Sequence, residues 1–514
     1  MQKTTKNIAS IDYLLNEVTT LKNAVEEKEK SIEQKDIEIN FLKEQLKLIK
    51  HNQYAKKSET ANSLQAEIEF EAQESESADI QEIAEEETIT YTRSKTKRGR
   101  NIDTSHLPRE TVTHDLTDDE KQCNDCNEQR VCIGEDKSEK LEYIPATLKV
   151  IEHVRPKYAC RQCETIKTAK KPDEVIPKSM AGTSLLTAVI IAKYHQHMPL
   201  SRQSKFFMQN KLDIPANTLG NWVLQVGEAL TPLIQAQRQQ IAKTYALQAD
   251  ETPVKNKAEN KKSYMWCYYG LDPGNKFVLF EYNISRGAHV PEATLAEFNG
   301  ILQTDGYAAY SGLRAKQNIQ GVGCWAHARR KFTDVIKIAG TKKPGKAHEA
   351  MSRIQKLYRI ETEARDNQLT HQQRYELRQQ KATPILDKLK PWLEKSISQV
   401  PPKSAIGTAI AYTLKQWPYL AAYVDHGEIE IDNNLVENQI RPFALGRRNW
   451  LFVGNERGAN AAATIYSLIQ TCIINDVNPQ QYFNAVLPQL GAVRRGDIDA
   501  TTLLPQFFKN SEST

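Results

Sequence analysis

The sequence predicts a multidomain α+β protein, and three features carry that expectation. Apolar residues recur every seven positions between residues 8 and 50. Two Cys-x₂-Cys pairs follow. A run of strand-like segments then gives way to a long charged stretch with helical periodicity, and strands followed by helices read as α+β. At 514 residues the chain has room for about three domains.

The formal charge is +5 and the pI about 8.5, which permits a polyanionic partner. The charge is unevenly spread. Residues 67–87 hold ten acids and no Lys or Arg, and residues 93–100 (RSKTKRGR) hold five bases and no acid. Further bases cluster in HARRKF and RPFALGRRNW, a pattern suited to phosphate contacts. The N-terminus lacks an apolar core of the kind a secretory signal has. The longest apolar run, Ser184 to Ala192, is about half of a bilayer span. A soluble, intracellular protein with no membrane partner is expected, in which eight cysteines read as metal ligands or free thiols rather than disulfides.

Residues 8–50 read as a coiled coil. Position a is Ile11, Val18, Val25, Ile32, Ile39 and Leu46; position d is Leu14, Leu21, Lys28, Lys35, Leu42 and Ile49. β-Branched residues at a with Leu at d favour a parallel dimer; a single amphipathic helix packed on another domain is the alternative. Residues 52–106 read as a linker, acidic and then basic, too poor in large apolar groups for a core. Its Lys97, Arg98 and Arg100 suit a minor-groove arm or a merely flexible basic tether. Residues 107–175 read as a zinc ribbon. Cys123 and Cys126 form one pair, Cys160 and Cys163 the other, and four thiolates complete a tetrahedral, closed, structural zinc site. Cys132 and His153 are spare ligand candidates. The alternating stretch KLEYIPATLKVIEHVRPKYAC predicts β-hairpins.

Residues 180–240 read as helices broken at Pro199 and at DIPAN, a helix-turn-helix-like arrangement suited to DNA or a plain helical hairpin. From 244 to 335 the strand-like runs are TYALQAD, KSYMWCYYGLD, KFVLFEYNIS, ILQTD and VGCWAH, with a short helix (Pro291 to Phe298) before the fourth. Three consecutive strands, a helix and a fourth strand beside the first match a ribonuclease-H-like α/β domain. It would resume at 426–455 after an all-helical insertion at 336–425. Residues 456–514 read as a C-terminal helical pair.

Acids stand where such strands end. Asp250 follows the run Tyr245 to Ala249, and Asp305 follows Ile301 to Thr304. Glu437 sits on a helix beginning after DNN. Carboxylates suit hard divalent cations, which take oxygen ligands. Asp432 competes with Glu437, as ligand or as helix cap; Glu251 and Asp334 are also near.

The chain resembles the DDE transposases of the bacterial insertion-sequence-66 family. The segments that carry the likeness run from end to end: YAKKSET, KRGR, HVRPKYACRQC, ADETPV, TDGYAAY, GCWAHARRKF, PKSAIGTAIAYTLKQW and IDNNLVENQIRPFALGRRNWLFVGNERGA. The resemblance implies a bacterial, cytoplasmic, nucleoid-associated enzyme. It implies that Asp250, Asp305 and Glu437 hold two Mg²⁺ or Mn²⁺ ions, that element ends are cleaved, and that the strands are transferred to target DNA. It also implies two small accessory proteins of the same element. The coiled coil and the pairing of two ends both call for a homodimer or higher oligomer.

His327, Arg329, Arg330 and Lys331 fall at a helix start, where they suit a scissile phosphate. Arg441 shares a helix face with Glu437. Arg447, Arg448 and Trp450 combine charge with an aromatic platform for unpaired bases, or Trp450 and Phe452 belong to the core. The rival function is a catalytically inactive or domesticated zinc-binding DNA-binding protein. A coiled-coil transcription regulator is weaker still, since it leaves residues 244–455 without a role.

Overall fold

The computed structural model describes residues 148–159, 166–169, 173–339, 345–451 and 453–508, together with Lys28 and Thr111. The rest of residues 8–50, expected as a coiled coil, residues 52–106, expected as a linker, with Lys97, Arg98 and Arg100, and Cys123, Cys126, Cys132, Cys160, Cys163 and Phe452 lie outside the described residues. The chain divides into two compact units, residues 77–171 and the remainder.

In the smaller unit, β1 (Lys157–Ala159) pairs antiparallel with β2 (Ile166–Thr168). Arg155 Nη1 donates to Ala169 O at 3.2 Å across the open end of this hairpin. Of the stretch expected to form hairpins, the described residues 148–156 carry no strand, and Leu148, Val150, Ile151 and Val154 are exposed. His153 is exposed too.

The larger unit begins with helices α1 (Thr183–Tyr194), α2 (Leu200–Gln209), α3 (Ala216–Ala229) and α4 (Thr231–Gln239). The breaks fall at Pro199 and Pro215, which precede the first residues of α2 and α3, as expected for a residue with fixed φ and no N–H. Then come β3 (Ala246–Asn256), β4 (Lys261–Gly270), β5 (Phe277–Asn283), α5 (His289–Thr294), β6 (Gly300–Gln303), α6 (Ser311–Arg314) and β7 (Ile319–Val322). They form one five-stranded sheet in the order β5-β4-β3-β6-β7. The first three strands are antiparallel; β3, β6 and β7 run parallel.

Alternation assigns the two faces of this sheet. Leu247, Ala249, Trp266, Tyr268, Phe277, Leu279 and Leu302 meet α5, Tyr310 and Leu313 on one face. Met265, Cys267, Tyr269, Val278, Phe280 and Tyr282 meet helices α12 (Asn434–Trp450) and α13 (Glu456–Ile474) on the other. Gly300, which starts β6, has φ +147°, and a Cβ there would stand 2.1 Å from Tyr245 O. That oxygen accepts the Ile301 N–H at 2.8 Å, the bond that begins the parallel pairing. Gly300→Ala is therefore expected to cost about 1–3 kcal/mol, read as a lowered urea midpoint; an unchanged midpoint would show that this strand entry can relax.

Between β7 and α12 the chain is helical: α7 (Trp325–Ala339), α8 (Lys346–Asp366), α9 (His371–Leu377), a π-helical turn (Arg378–Ala382), α10 (Thr383–Ile397) and α11 (Ala405–Ala421). Their apolar faces share a core with Ala246, Ile301 and Val322 of the sheet. Within it lies a charged network. Arg378 is fully buried; its Nε and Nη2 donate to Glu361 at 2.9 and 2.8 Å, and Nη2 also to Ile429 O. Its Nη1 donates to Tyr423 O and His426 O. Arg374 bridges Glu361 and Glu430. Burial by itself would raise the Glu430 carboxyl, but the hydrogen bond and charge of Arg374 hold it below the usual carboxylate range. This pair therefore adds stability above the ordinary glutamate pKa, and that stability is lost as pH falls through the depressed value.

Two expectations are corrected. The first strand does not stop at Ala249. It continues to Asn256, because β4 pairs with it throughout, while the parallel partner β6 ends at Gln303. The C-terminal region is more than a helical pair: α13, α14 (Pro479–Val486) and α15 (Leu490–Arg495) follow one another, Pro479 and Leu490 opening new turns.

Candidate active site on the sheet face beneath α12

Register decides where the two aspartates stand. Gln248 of β3 is paired with Gln303 of β6, the last pair of that parallel ladder. Asp250 and Asp305 each lie two residues further on. Side chains repeat every second residue, so the two carboxylates leave the sheet side by side on the face covered by α12. Asp250 pairs in register with Cys267, which is buried under that helix. Glu437 lies in the first turn of α12.

Asp250 senses the other two acids. Burial, then the charges of Glu437, Glu251 and Asp305, push the Asp250 carboxyl well above its ordinary value, against one hydrogen bond from the Glu251 N–H at 2.9 Å. Asp305 Oδ1 accepts the Tyr307 N–H at 2.9 Å, which turns the chain after β6. Gly306 follows without a side chain, since a Cβ there would stand 2.7 Å from the Tyr412 hydroxyl of α11.

The competing acids have other partners. Asp432 Oδ2 accepts the Tyr358 hydroxyl at 2.9 Å and its Oδ1 accepts the Asn434 N–H at 3.3 Å. It thus serves the start of α12, and burial raises its carboxyl to about 6. Glu251 points to the opposite face, where it meets Arg286 at 2.6 Å and the Tyr310 hydroxyl at 2.8 Å. Asp334 lies on α7, half-buried.

His327 Nδ1 lies 3.8 Å from Glu437 Oε1. Burial, with Arg330 and Lys331 adding to it and Asp305 opposing, pushes this imidazole down to about 4, so it is neutral at pH 7. Cys324, His327 and Glu437 bring ligand atoms within 4.8 Å of one another. Cys324 was not singled out from the sequence, although its spacing to His327, Cys-x₂-His, was there to see. Burial drives its thiol pKa well up, so it stays protonated.

The basic residues separate into two groups. Arg330 and Lys331 are exposed on α7, Lys331 with its ammonium 5.5 Å from the Tyr412 ring. Arg329 stands over the Tyr358 ring at 5.5 Å. Arg441 is half-buried one turn beyond Glu437, and Arg448 is exposed two turns further. Arg447 instead ties α12 to β3, donating to Thr252 Oγ1 at 3.1 Å and to Pro253 O. Trp450 packs edge-on against Phe443 at 5.5 Å and belongs to the rim of the core.

Comparison with known proteins gives the family. Residues 178–461 match the model of the Transposase IS66 family, residues 120–164 that of the zinc-finger binding domain of transposase IS66, and residues 41–112 one described as Transposase C of IS166 homeodomain. The protein is a transposase, of a class that binds DNA and carries a zinc-finger domain. It belongs to the IS66 transposase family. Similar chains include three uncharacterised proteins of Sinorhizobium fredii (strain NBRC 101917 / NGR234). With y4jD the identity is 33% over 81% of this chain and 84% of the relative. With y4hP it is 33% over 72% and 70%, and with y4qI 34% over 74% and 72%. Among the described residues, no helix is long and apolar enough to cross a membrane.

Proposed function

We propose that this transposase works by DDE chemistry, cleaving the ends of its insertion sequence and transferring the strands to target DNA with Asp250, Asp305 and Glu437. The observation that carries the reading is that Asp250 and Asp305 stand at matching register positions under α12, and that burial and the charges of Glu437, Glu251 and Asp305 raise the Asp250 carboxyl. The strand order β5-β4-β3-β6-β7, antiparallel then parallel, supports a ribonuclease-H-like catalytic domain interrupted by the helical insertion.

The donor set fits divalent cations. Half-buried carboxylates that repel one another are poorly stable as a bare cluster, and their oxygens match Mg²⁺ or Mn²⁺ rather than a soft metal. Two bound ions would supply an activated water or 3′-hydroxyl and stabilisation of the leaving oxygen. Asp250, Asp305 and Glu437 would hold them. Neutral His327 flanks Glu437 without adding charge to the cluster. Arg330 and Lys331 on one side and Arg441 and Arg448 on the other suit the phosphates of the bound strand.

The remaining parts have supporting roles in this reading. Helices α1 to α3 are a helix-turn-helix-like DNA-binding region, in which the basic surface belongs to α1, α2 and their flanks: between Val175 and Leu212 there are five Lys or Arg and no acid, and α3 adds no base. Cys123, Cys126, Cys160 and Cys163 hold one structural zinc. A hairpin of three-residue strands needs such a staple. The coiled coil at 8–50 pairs two copies, one for each element end. Serine at Cys160 is expected to abolish the zinc measured by atomic absorption, and a full complement would exclude that cysteine as a ligand.

A plasmid carrying the gene with its flanking DNA tests the reading. Wild type should nick it in Mg²⁺ or Mn²⁺, and Asp250→Ala, Asp305→Ala and Glu437→Ala should not. Activity surviving in Glu437→Ala but lost in Asp432→Ala would move the third ligand. DNA binding without cleavage by wild type in either metal would favour the inactive zinc-binding DNA-binding protein.

A further inference from the structure

Two glutamines that the chemistry above does not use occupy the centre of the site. Gln248 and Gln303 are both completely buried. Gln248 Nε2 donates to Gln303 Oε1 at 2.7 Å and to Asp432 O at 3.0 Å. Its Oε1 accepts the Val436 N–H at 3.0 Å. Gln303 Nε2 in turn donates to Glu430 O at 2.8 Å and Gly323 O at 3.3 Å. The orientation of both amides is forced. Val436 N–H can only donate, and the carbonyls of Asp432, Glu430 and Gly323 can only accept.

Each bond starts next to a carboxylate. Gln248 is two residues before Asp250, Gln303 two before Asp305, and Val436 is the neighbour of Glu437. One side-chain amide therefore ties together the strand of the first acid, the strand of the second and the helix turn of the third. Without it, the first turns of α12 would meet the sheet through apolar contacts from Val436, Ile440 and Phe443, the bonds of Arg447 to β3 lying near the far end of the helix. Such contacts are non-directional and permit sliding by a few tenths of an ångström. The first turn of α12 also carries N–H groups with no partner inside the helix, and Gln248 satisfies one of them. The same pair reaches the segment before α12 through Glu430 and Asp432, so the helical insertion is anchored to the sheet at this point as well.

We infer that Gln248 and Gln303 are positioning residues that set the mutual spacing of Asp250, Asp305 and Glu437 for divalent cations. This rests on the proposed role of those acids as metal ligands. A ligand sphere must be held to fractions of an ångström, and loss of an outer partner commonly costs about 10–100-fold in metal affinity. Methionine keeps the length and volume of glutamine and removes all of its hydrogen bonds.

The test is a calorimetric Mn²⁺ titration of the full chain, without DNA. Gln248→Met is expected to bind Mn²⁺ at least about tenfold more weakly than wild type. Gln303→Met keeps the bonds of Gln248 to Asp432 and Val436, so a smaller loss in the same direction is expected. Leu357→Ala, in the fully buried core of the insertion, serves as the control. It should lower the melting temperature and leave Mn²⁺ affinity unchanged, which separates positioning from general stability. If Gln248→Met fails to fold, Gln303→Met carries the test. Affinities within twofold of wild type in the folded glutamine variants would overturn the proposal, as would an equal loss in Leu357→Ala. Wild type that takes up no Mn²⁺ would remove the metal reading itself, and the positioning role with it.

Discussion

Asp250→Asn is expected to lose at least about a thousandfold in metal-dependent DNA cleavage, about 4 kcal/mol of barrier, while its metal-free form melts at a higher temperature than wild type. The two effects share one cause. Burial and the charges of Glu437, Glu251 and Asp305 raise the Asp250 carboxyl. A raised carboxyl binds a proton more tightly folded than unfolded. Its contribution to stability is then full below the unfolded value and shrinks as pH rises through the folded one. At neutral pH, where the unfolded carboxyl is ionised, the metal-free fold bears the cost of the raised Asp250 carboxyl, and asparagine removes it. Divalent cation should stabilise wild type by mass action and stabilise the variant much less. Differential scanning calorimetry with and without Mg²⁺ reads both. A metal-free variant that melts lower than wild type would mean that Asp250 is held by favourable contacts instead.

Arg378→Met is the largest expected loss of stability away from the site, about 3–5 kcal/mol. The guanidinium is fully buried and donates to Glu361 and to the carbonyls of Tyr423, His426 and Ile429. Removing it strands part of the charge of Glu361, itself 1% exposed, and three carbonyl acceptors. The double variant Arg378→Met/Glu361→Leu should recover a good part of the loss, because Arg374 keeps its bond to Glu430 at 2.9 Å. Urea denaturation of the two variants beside wild type decides this. A single variant within about 1 kcal/mol of wild type would show that solvent reaches the pocket left behind.

The candidate carboxylates stand out in the sequence because their surroundings are local. Asp250 and Asp305 follow short apolar runs, and Glu437 follows a helix-starting DNN. The order of the strand-like segments was enough to bring the first strand beside the fourth. The choice of Glu437 over Asp432 rested on family resemblance. In the fold, Asp432 is occupied by Tyr358 and the Asn434 N–H, whereas Glu437 acts on Asp250. What stayed hidden was non-local. Gln248 and Gln303 look like any polar residue in a strand, and their bonds span 20 to 188 positions. Arg374 and Arg378 sit in a stretch whose composition suggests a solvated helix. Their burial depends on Glu361 and on carbonyls that approach only after the insertion closes. Trp450 illustrates the reverse: an aromatic among arginines reads as a base platform, yet its ring lies against Phe443.

The most direct test of the account is a metal-specificity exchange at Asp305. Thiolate is a soft donor that Mn²⁺ accepts better than Mg²⁺. Asp305→Cys should fail to cleave the element-bearing plasmid in Mg²⁺ and regain measurable cleavage in Mn²⁺, while wild type cuts in both. Equal activity of the variant in the two metals would contradict a role for Asp305 as a metal ligand, and with it the three-carboxylate site.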